Sequence, residues 1–313
     1  MKRLLIIKPS SMGDIIHGLM VAEAIKAQLP GVIIDWVVRR EFAPLIDSAS
    51  AIENTLIFER KGGLGSFIAL MRKIRQTRYD AVLDMQGLAR SGLLTFCAKG
   101  FRKIGRSDAR EGAGLAYRET TSALPDGPPI HAVKILSGFL EVLDLEPTLP
   151  RSIYFHASTK ALTLPPCDGL RRVVIFPESR RNEKNWPGYE ALTRRLLDSE
   201  HDFQVIWCGH VPFEASYAMD SNDFYNLTGE TQVDQLPELL NSADCVLSND
   251  SGPMHLAAAL ARPLVALFGP TDPARFGPFP RDSQRQRVIR RTDGNMAALN
   301  VQEVEQALFE ILF

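Results

Sequence analysis

The chain is short of the features that announce several protein classes. Its four cysteines, Cys97, Cys167, Cys208 and Cys245, are scattered through 313 residues with no CxxC pair, so neither a disulfide framework nor a zinc site is indicated. No apolar run approaches the roughly 20 residues needed to span a bilayer. Met1-Lys2-Arg3 followed by Leu4 to Ile7 is basic then apolar, but the run is too short for a signal peptide and no small-residue cleavage site follows. A cytoplasmic address is therefore expected. The loop after this first apolar run is neither GxGxxG nor GxxxxGK[ST], so the dinucleotide and phosphate-loop fingerprints are both missing. No cluster of carboxylates has metal-ligand spacing, and neither a metal nor a cofactor is expected. The net charge of −1 argues against non-specific nucleic-acid binding.

What is present is the composition of a soluble globular protein, 45% hydrophobic and 23% charged, in a chain long enough for two domains of ordinary size. Charge is divided unevenly. Residues 1–150 hold 20 Lys and Arg against 16 Asp and Glu, and the remainder holds 16 against 21. Lys99, Arg102, Lys103, Arg106, Arg110 and Arg118 concentrate the positive side. Such a run is usually a solvated face, yet it also suits an anionic substrate on the first half.

Apolar strand-like runs alternate with amphipathic helical stretches along the whole chain, the pattern of parallel α/β sheets. Arg3 to Ile7 reads as a strand, residues 8–14 as a polar loop, Ile15 to Gln28 as a helix and Ile33 to Val38 as the next strand. Tyr79 to Met85 is a further strand, with a polar loop from Gln86 to Ser91. Gly105 to Pro129 has little periodicity and reads as loop or lid. Pro147, Pro150, Pro165 and Pro166 mark a connection, after which the alternation starts again. The expected division is an N-terminal domain over 1–155, a C-terminal domain over 156–300 and a last helix over 301–313 that could pack on either, including back on the N-terminal one.

The most informative stretch runs from Cys245 to Pro273. Val246 and Leu247 end a strand, Asn249 to Gly252 form a turn, and Pro253 suits the first helical position, where its missing N–H costs nothing. Leu264 to Phe268 is a continuous apolar run, as in a buried parallel strand. A helix starting at such a turn offers free N–H groups to an anion. Asp250 and Ser251 could instead be simple caps, but capping does not call for His255 in the first turn. Lys184, in a basic loop with Ser179, Arg180 and Arg181, suits a phosphate oxygen. Asp14 is a candidate general base. By position alone, capping of the following helix is its simpler role, and His17 one turn on could be a core histidine or an orienting partner.

Five segments taken together resemble the ADP-heptose:lipopolysaccharide heptosyltransferases. They are Ser10-Ser11-Met12-Gly13-Asp14-Ile15-Ile16-His17, residues 84–91 (DMQGLARS), Lys184-Asn185-Trp186-Pro187, residues 249–256 (NDSGPMHL) and residues 268–273 (FGPTDP). The first is closer to heptosyltransferase I than to II. The resemblance implies a GT-B fold, two Rossmann-like domains facing across a cleft, and an inverting transfer of heptose to the Kdo-containing inner core on lipid A. It implies Asp14 as base. Ser179, Arg180, Lys184, Asp250, Ser251, Gly252 and His255 would hold the ADP-heptose donor. Ser11, Gly13, His17, Arg60, Lys61, Gln86, Arg90, Arg106 and Arg110 are the acceptor candidates. An anionic, lipid-linked saccharide as acceptor leaves room for peripheral contact with the cytoplasmic face of the inner membrane. Ser251 stands where many relatives carry Thr, and Gly18-Leu19-Met20 replaces their Leu-Pro-containing helix start. Another nucleotide-sugar enzyme of the same fold, with a different donor or a 2-epimerase activity, and a degenerate scaffold are the competing readings. The scaffold predicts a damaged donor loop or a missing base, whereas Asp14, Lys184 and His255 are all present.

Overall fold

In a computed structural model, describing all residues except 124–126, 128, 159, 161, 180 and 216–220, the chain divides into two units, Met1–His156 and Ala157–Phe313. The first unit runs β1 (Arg3–Ile7), α1 (Met12–Gln28), β2 (Ile33–Arg39), α2 (Ala43–Ser48), β3 (Asn54–Phe58) and α3 (Gly63–Arg75). It continues with β4 (Arg78–Asp84), α4 (Ala89–Cys97), β5 (Lys99–Gly105), β6 (Glu119–Thr120) and α5 (Ala132–Val142). The second runs β7 (Arg171–Phe176), α6 (Tyr189–Leu197), β8 (Phe203–Gly209), β9 (Phe224–Thr228), α7 (Leu236–Ser242) and β10 (Cys245–Asn249). It closes with α8 (Gly252–Ala259), β11 (Leu264–Phe268), α9 (Pro273–Phe276), β12 (Gln286–Arg290) and α10 (Val301–Leu312).

Each unit holds one six-stranded sheet, ordered β3-β2-β1-β4-β5-β6 and β12-β11-β10-β7-β8-β9, with every strand pair parallel. Helices on both faces exclude water from the central strands, so β1, β7, β10 and β11 are near-continuous apolar runs without alternation. Helix α1 is buried nearly all round because α5 covers it on the side away from the sheet. The strand order reverses between β1 and β4 in one unit and between β10 and β7 in the other. Loops at the carboxyl ends of those strands therefore diverge and leave a crevice, the usual place for a ligand in such sheets.

One expectation is corrected. The stretch from Gly105 to Pro129 is not all loop, because it includes the short edge strand β6 and a 3-10 turn at Ala113–Ala116. Within the second unit, the apolar stripe of helix α10, Val304, Ala307 and Leu308, lies in the core with Leu192, Leu196 and Leu267.

Glycine at 92 is required by packing. A Cβ there would stand 2.8 Å from Ala113 Cα and 3.2 Å from Ala113 O, and backbone atoms cannot swing aside. Helix propensity favours Ala over Gly by about 1 kcal/mol, while overpacking costs about 1–3 kcal/mol. Gly92→Ala is therefore expected to lose stability, by up to about 2 kcal/mol after subtracting the propensity gain. A urea midpoint equal to or above that of the wild type would contradict it.

Candidate functional site

In the first unit the switch-point loops carry an unusual density of buried charge. Lys8 follows β1 and is 2% exposed, with Nζ 3.6 Å from Asp14 Oδ1. Its main chain is held as well, since Trp36 Nε1 donates to Lys8 O at 3.1 Å. Asp14 lies in the first turn of α1, which begins at Met12, and not in the polar loop over residues 8–14 expected to carry it. Its Oδ2 accepts from Ser11 N at 3.0 Å and Ser11 Oγ at 2.8 Å. The capping role and the chemical role thus coexist: one oxygen serves the helix start and the other faces Lys8, while 42% of the side chain stays open. Burial pushes the Asp14 carboxyl up, but the Lys8 ammonium and the two Ser11 hydrogen bonds outweigh it and the net shift is downward. Burial lowers Lys8, with Asp14 opposing and Arg106 adding to the lowering.

Across the switch point, Asp84 ends β4 fully buried. It accepts from Gln86 N at 3.0 Å and Gly87 N at 2.9 Å, and from Tyr117 Oη at 2.8 Å. Burial raises its carboxyl against these donors. The turn it fixes needs glycine, since Gly87 has φ +72°. Beside it lies a cavity of about 540 Å³ lined by Arg39, Arg60, Lys61, Gln86 and Arg90 among others. Gln86 Oε1 is buried there with no hydrogen-bond partner among the described residues, which leaves an acceptor for a ligand donor.

The proposed acceptor residues divide accordingly. Arg60, Lys61, Gln86 and Arg90 line one cavity. Ser11 and Gly13 shape the start of α1, and His17 is 3% exposed, its ring packed edge-on to His131 with centroids 5.6 Å apart. Arg106 is bound to Asp108 through two hydrogen bonds of 2.7 and 2.6 Å. Arg110 is exposed, its backbone N–H donating to Gly87 O at 2.9 Å. Lys8, Asp84, Arg39 and Tyr117 are not among the site candidates of the sequence, although Asp84 opens the 84–91 segment. The signal for the first two is a charge placed directly at the end of an apolar strand run, as in LLIIK and AVLD.

In the second unit the switch point joins the loop after β7 to the turn after β10. Lys184 Nζ donates to Asp250 Oδ2 at 2.6 Å and lies 3.4 Å from Asp250 O. Thr271, from the loop after β11, donates through Oγ1 to the same Oδ2 at 2.6 Å. His255 Nε2 stands 3.9 Å from Asp250 Oδ1. Neither Asp250 nor Ser251 caps α8, because the Asp250 carboxylate is engaged as described and Ser251 Oγ pairs with Ser248 Oγ at 3.0 Å. The first N–H groups of α8, beginning at Gly252, are left for an anion. Tyr189 Oη donates to Asn249 Oδ1 at 2.7 Å, tying α6 to the end of β10. Ser179 turns its hydroxyl into its own loop, donating to Arg181 O at 2.9 Å. Arg180 lies outside the described residues. Among the described residues no group of three or more His, Cys, Asp or Glu side chains is placed to hold a metal ion.

A family model described as glycosyltransferase family 9 (heptosyltransferase) matches residues 67–308. The sequence is 29% identical over 321 residues to lipopolysaccharide heptosyltransferase 1 of Escherichia coli K12, covering 98% of this chain and 99% of that one. The structure of E. coli heptosyltransferase WaaC with ADP superimposes with a TM-score of 0.80 at 27% identity over 99% of each chain. That of WaaC with ADP-2-deoxy-2-fluoro heptose gives 0.78 at 28% identity, over 98% of this chain and 99% of the other.

Proposed function

The chain belongs to glycosyltransferase family 9, the heptosyltransferases, and has the GT-B fold; from that premise we propose that it moves a heptose from ADP-L-glycero-D-manno-heptose to the Kdo-containing inner core on lipid A. The observation that carries the donor half is the Lys184–Asp250–Thr271 cluster at the open start of α8. In this reading the first unit binds the acceptor and the second the donor. Asp14 takes the proton from an acceptor hydroxyl, and the hydroxyl oxygen forms a bond to the anomeric carbon as the bond from that carbon to the diphosphate breaks. Inversion follows from attack opposite the leaving group. Negative charge grows on the departing diphosphate, where Lys184 and the α8 N–H groups oppose it in a partly dry setting. The basic cavity beside Gln86 suits an anionic saccharide.

A thermal-shift panel of ADP-, GDP- and UDP-sugars tests the donor assignment, because a ligand bound only by the folded state raises the melting temperature. ADP-heptose is expected to stabilise, and a mass increase of one heptose on the acceptor to follow. Stabilisation by UDP- or GDP-sugars alone would overturn it.

Lys8 gives this reading a pH signature. Relative to an unfolded chain, Asp14 is lowered, so its contribution to stability is present above the ordinary carboxylate value and lost as pH falls through the lowered one. Lys8→Met removes the strongest lowering influence and leaves burial to push the carboxyl up. The acid limb of the kcat/KM profile is expected to move to higher pH. An unmoved limb would detach Lys8 from the base.

A further inference from the structure

We propose that the outer face of α4, with β5 and the turn at Ala113–Ala116, is a docking surface for an anionic membrane. Single exposed apolar side chains are common on soluble proteins, whereas grouped ones mark interaction sites. Leu93 and Phe96 stand three residues apart on one side of α4, 45% and 66% exposed, and Phe101 on β5 is 81% exposed. Lys103 connects them. Its Nζ lies 5.5 Å from the Phe96 ring centroid and donates to Phe96 O at 2.6 Å. Phe101 is two residues before Lys103 and so shares its side of the sheet. The turn that holds Leu115, 92% exposed, is pressed against α4 where Ala113 meets Gly92.

The charge around these side chains selects the partner. Between residues 89 and 118 there are seven Lys and Arg and two acidic residues. Arg118 Nη1 donates to Phe101 O at 3.4 Å, and Arg75 Nη1 to Cys97 O at 3.1 Å. These two and Lys103 are bonded to main-chain carbonyls of the patch itself, and none has an ion-pair partner among the described residues. Apolar rings that enter the headgroup boundary, set among cations that meet lipid phosphate, are the two signals peripheral membrane binding needs. The face also meets the cavity proposed for the acceptor, since exposed Arg90, one turn before Leu93 on the same helix, lines it. A bilayer on the outer side of α4 would bring a lipid-linked saccharide to that cavity, a link that rests on the acceptor proposed above.

The test is co-sedimentation with vesicles of phosphatidylcholine alone and of phosphatidylcholine mixed with phosphatidylglycerol. The wild type is expected to bind the mixed vesicles at least about 10-fold more tightly and to release them as salt rises. Phe96→Asp/Phe101→Asp and, separately, Lys103→Glu/Arg118→Glu should each lose about 10-fold or more, while transfer to a water-soluble, deacylated acceptor stays within about twofold, since neither pair lies in the proposed binding machinery. Equal vesicle binding by wild type and both variants, or no preference for the anionic lipid, overturns the proposal. So does a wild-type oligomer in sedimentation velocity that Phe96→Asp/Phe101→Asp splits, because the face would then join copies of the chain. Failure of the wild type to act on the soluble acceptor counts against the functional reading alone, as vesicle binding is measured with no acceptor present.

Discussion

Asp14→Asn is expected to lower kcat by about 10²- to 10⁴-fold, the range a general base supplies, with ADP affinity unchanged. Asparagine keeps an oxygen to accept from Ser11, so the start of α1 retains its bonds. What it removes is the negative charge that accepts the proton. The substitution also strands the Lys8 ammonium, which is buried and already disfavoured by desolvation. A stability loss by this route could be mistaken for a catalytic one. Asp14→Asn/Lys8→Met separates them: the double variant should regain the melting temperature and stay inactive. Turnover by Asp14→Asn within a few-fold of the wild type would move the base elsewhere.

Lys184→Ala is expected to have the second large effect, on donor binding. A charge-assisted hydrogen bond to a phosphate oxygen contributes about 1.5–3 kcal/mol, so ADP should bind about 10- to 100-fold more weakly. Lys184 and Asp250 are 14% and 6% exposed. Removing the cation leaves the carboxylate buried with Thr271 as its close donor. Breaking a buried pair from one side costs about 3–5 kcal/mol, because the remaining charge is uncompensated, and the variant should melt earlier. Lys184→Ala/Asp250→Asn should recover much of that loss and none of the ADP affinity. If calorimetry finds ADP binding intact in either variant, the lysine does not meet the diphosphate.

Legibility in the sequence followed burial. Leu264 to Phe268 is legible as a strand at both ends, since a strand covered on both faces must be apolar throughout and Arg262-Pro263 and Gly269-Pro270 punctuate it. Strands β3, β6, β9 and β12 at the sheet edges, and β5 beside one, do not show in the sequence. β12, QRVIR, buries only Ile289, so neither a continuous run nor a clean alternation shows. Asp14 was expected in a loop and lies inside α1, because Met12 and Gly13 give no boundary signal and Ser11 is the true cap. Lys8 reads as the first residue of a polar loop and Asp84 as part of the strand before one, and nothing beside them in the sequence shows that both side chains are buried.

The sequence by itself determined the local units: apolar runs that become parallel strands, the turn that opens α8, and the presence of Asp14, Lys184 and Asp250 in loops or first turns next to strand ends. Those properties depend on residues within a few positions of one another. Strand order does not. Nothing near β10 states that β7 rather than β8 lies beside it, yet that neighbour puts Lys184 2.6 Å from a carboxylate 66 residues away. The same holds for β1 beside β4, which places the Lys8–Asp14 pair next to buried Asp84. Only the tertiary structure made these pairs, because parallel strands are joined through crossovers whose destination is set by the packing of the whole sheet.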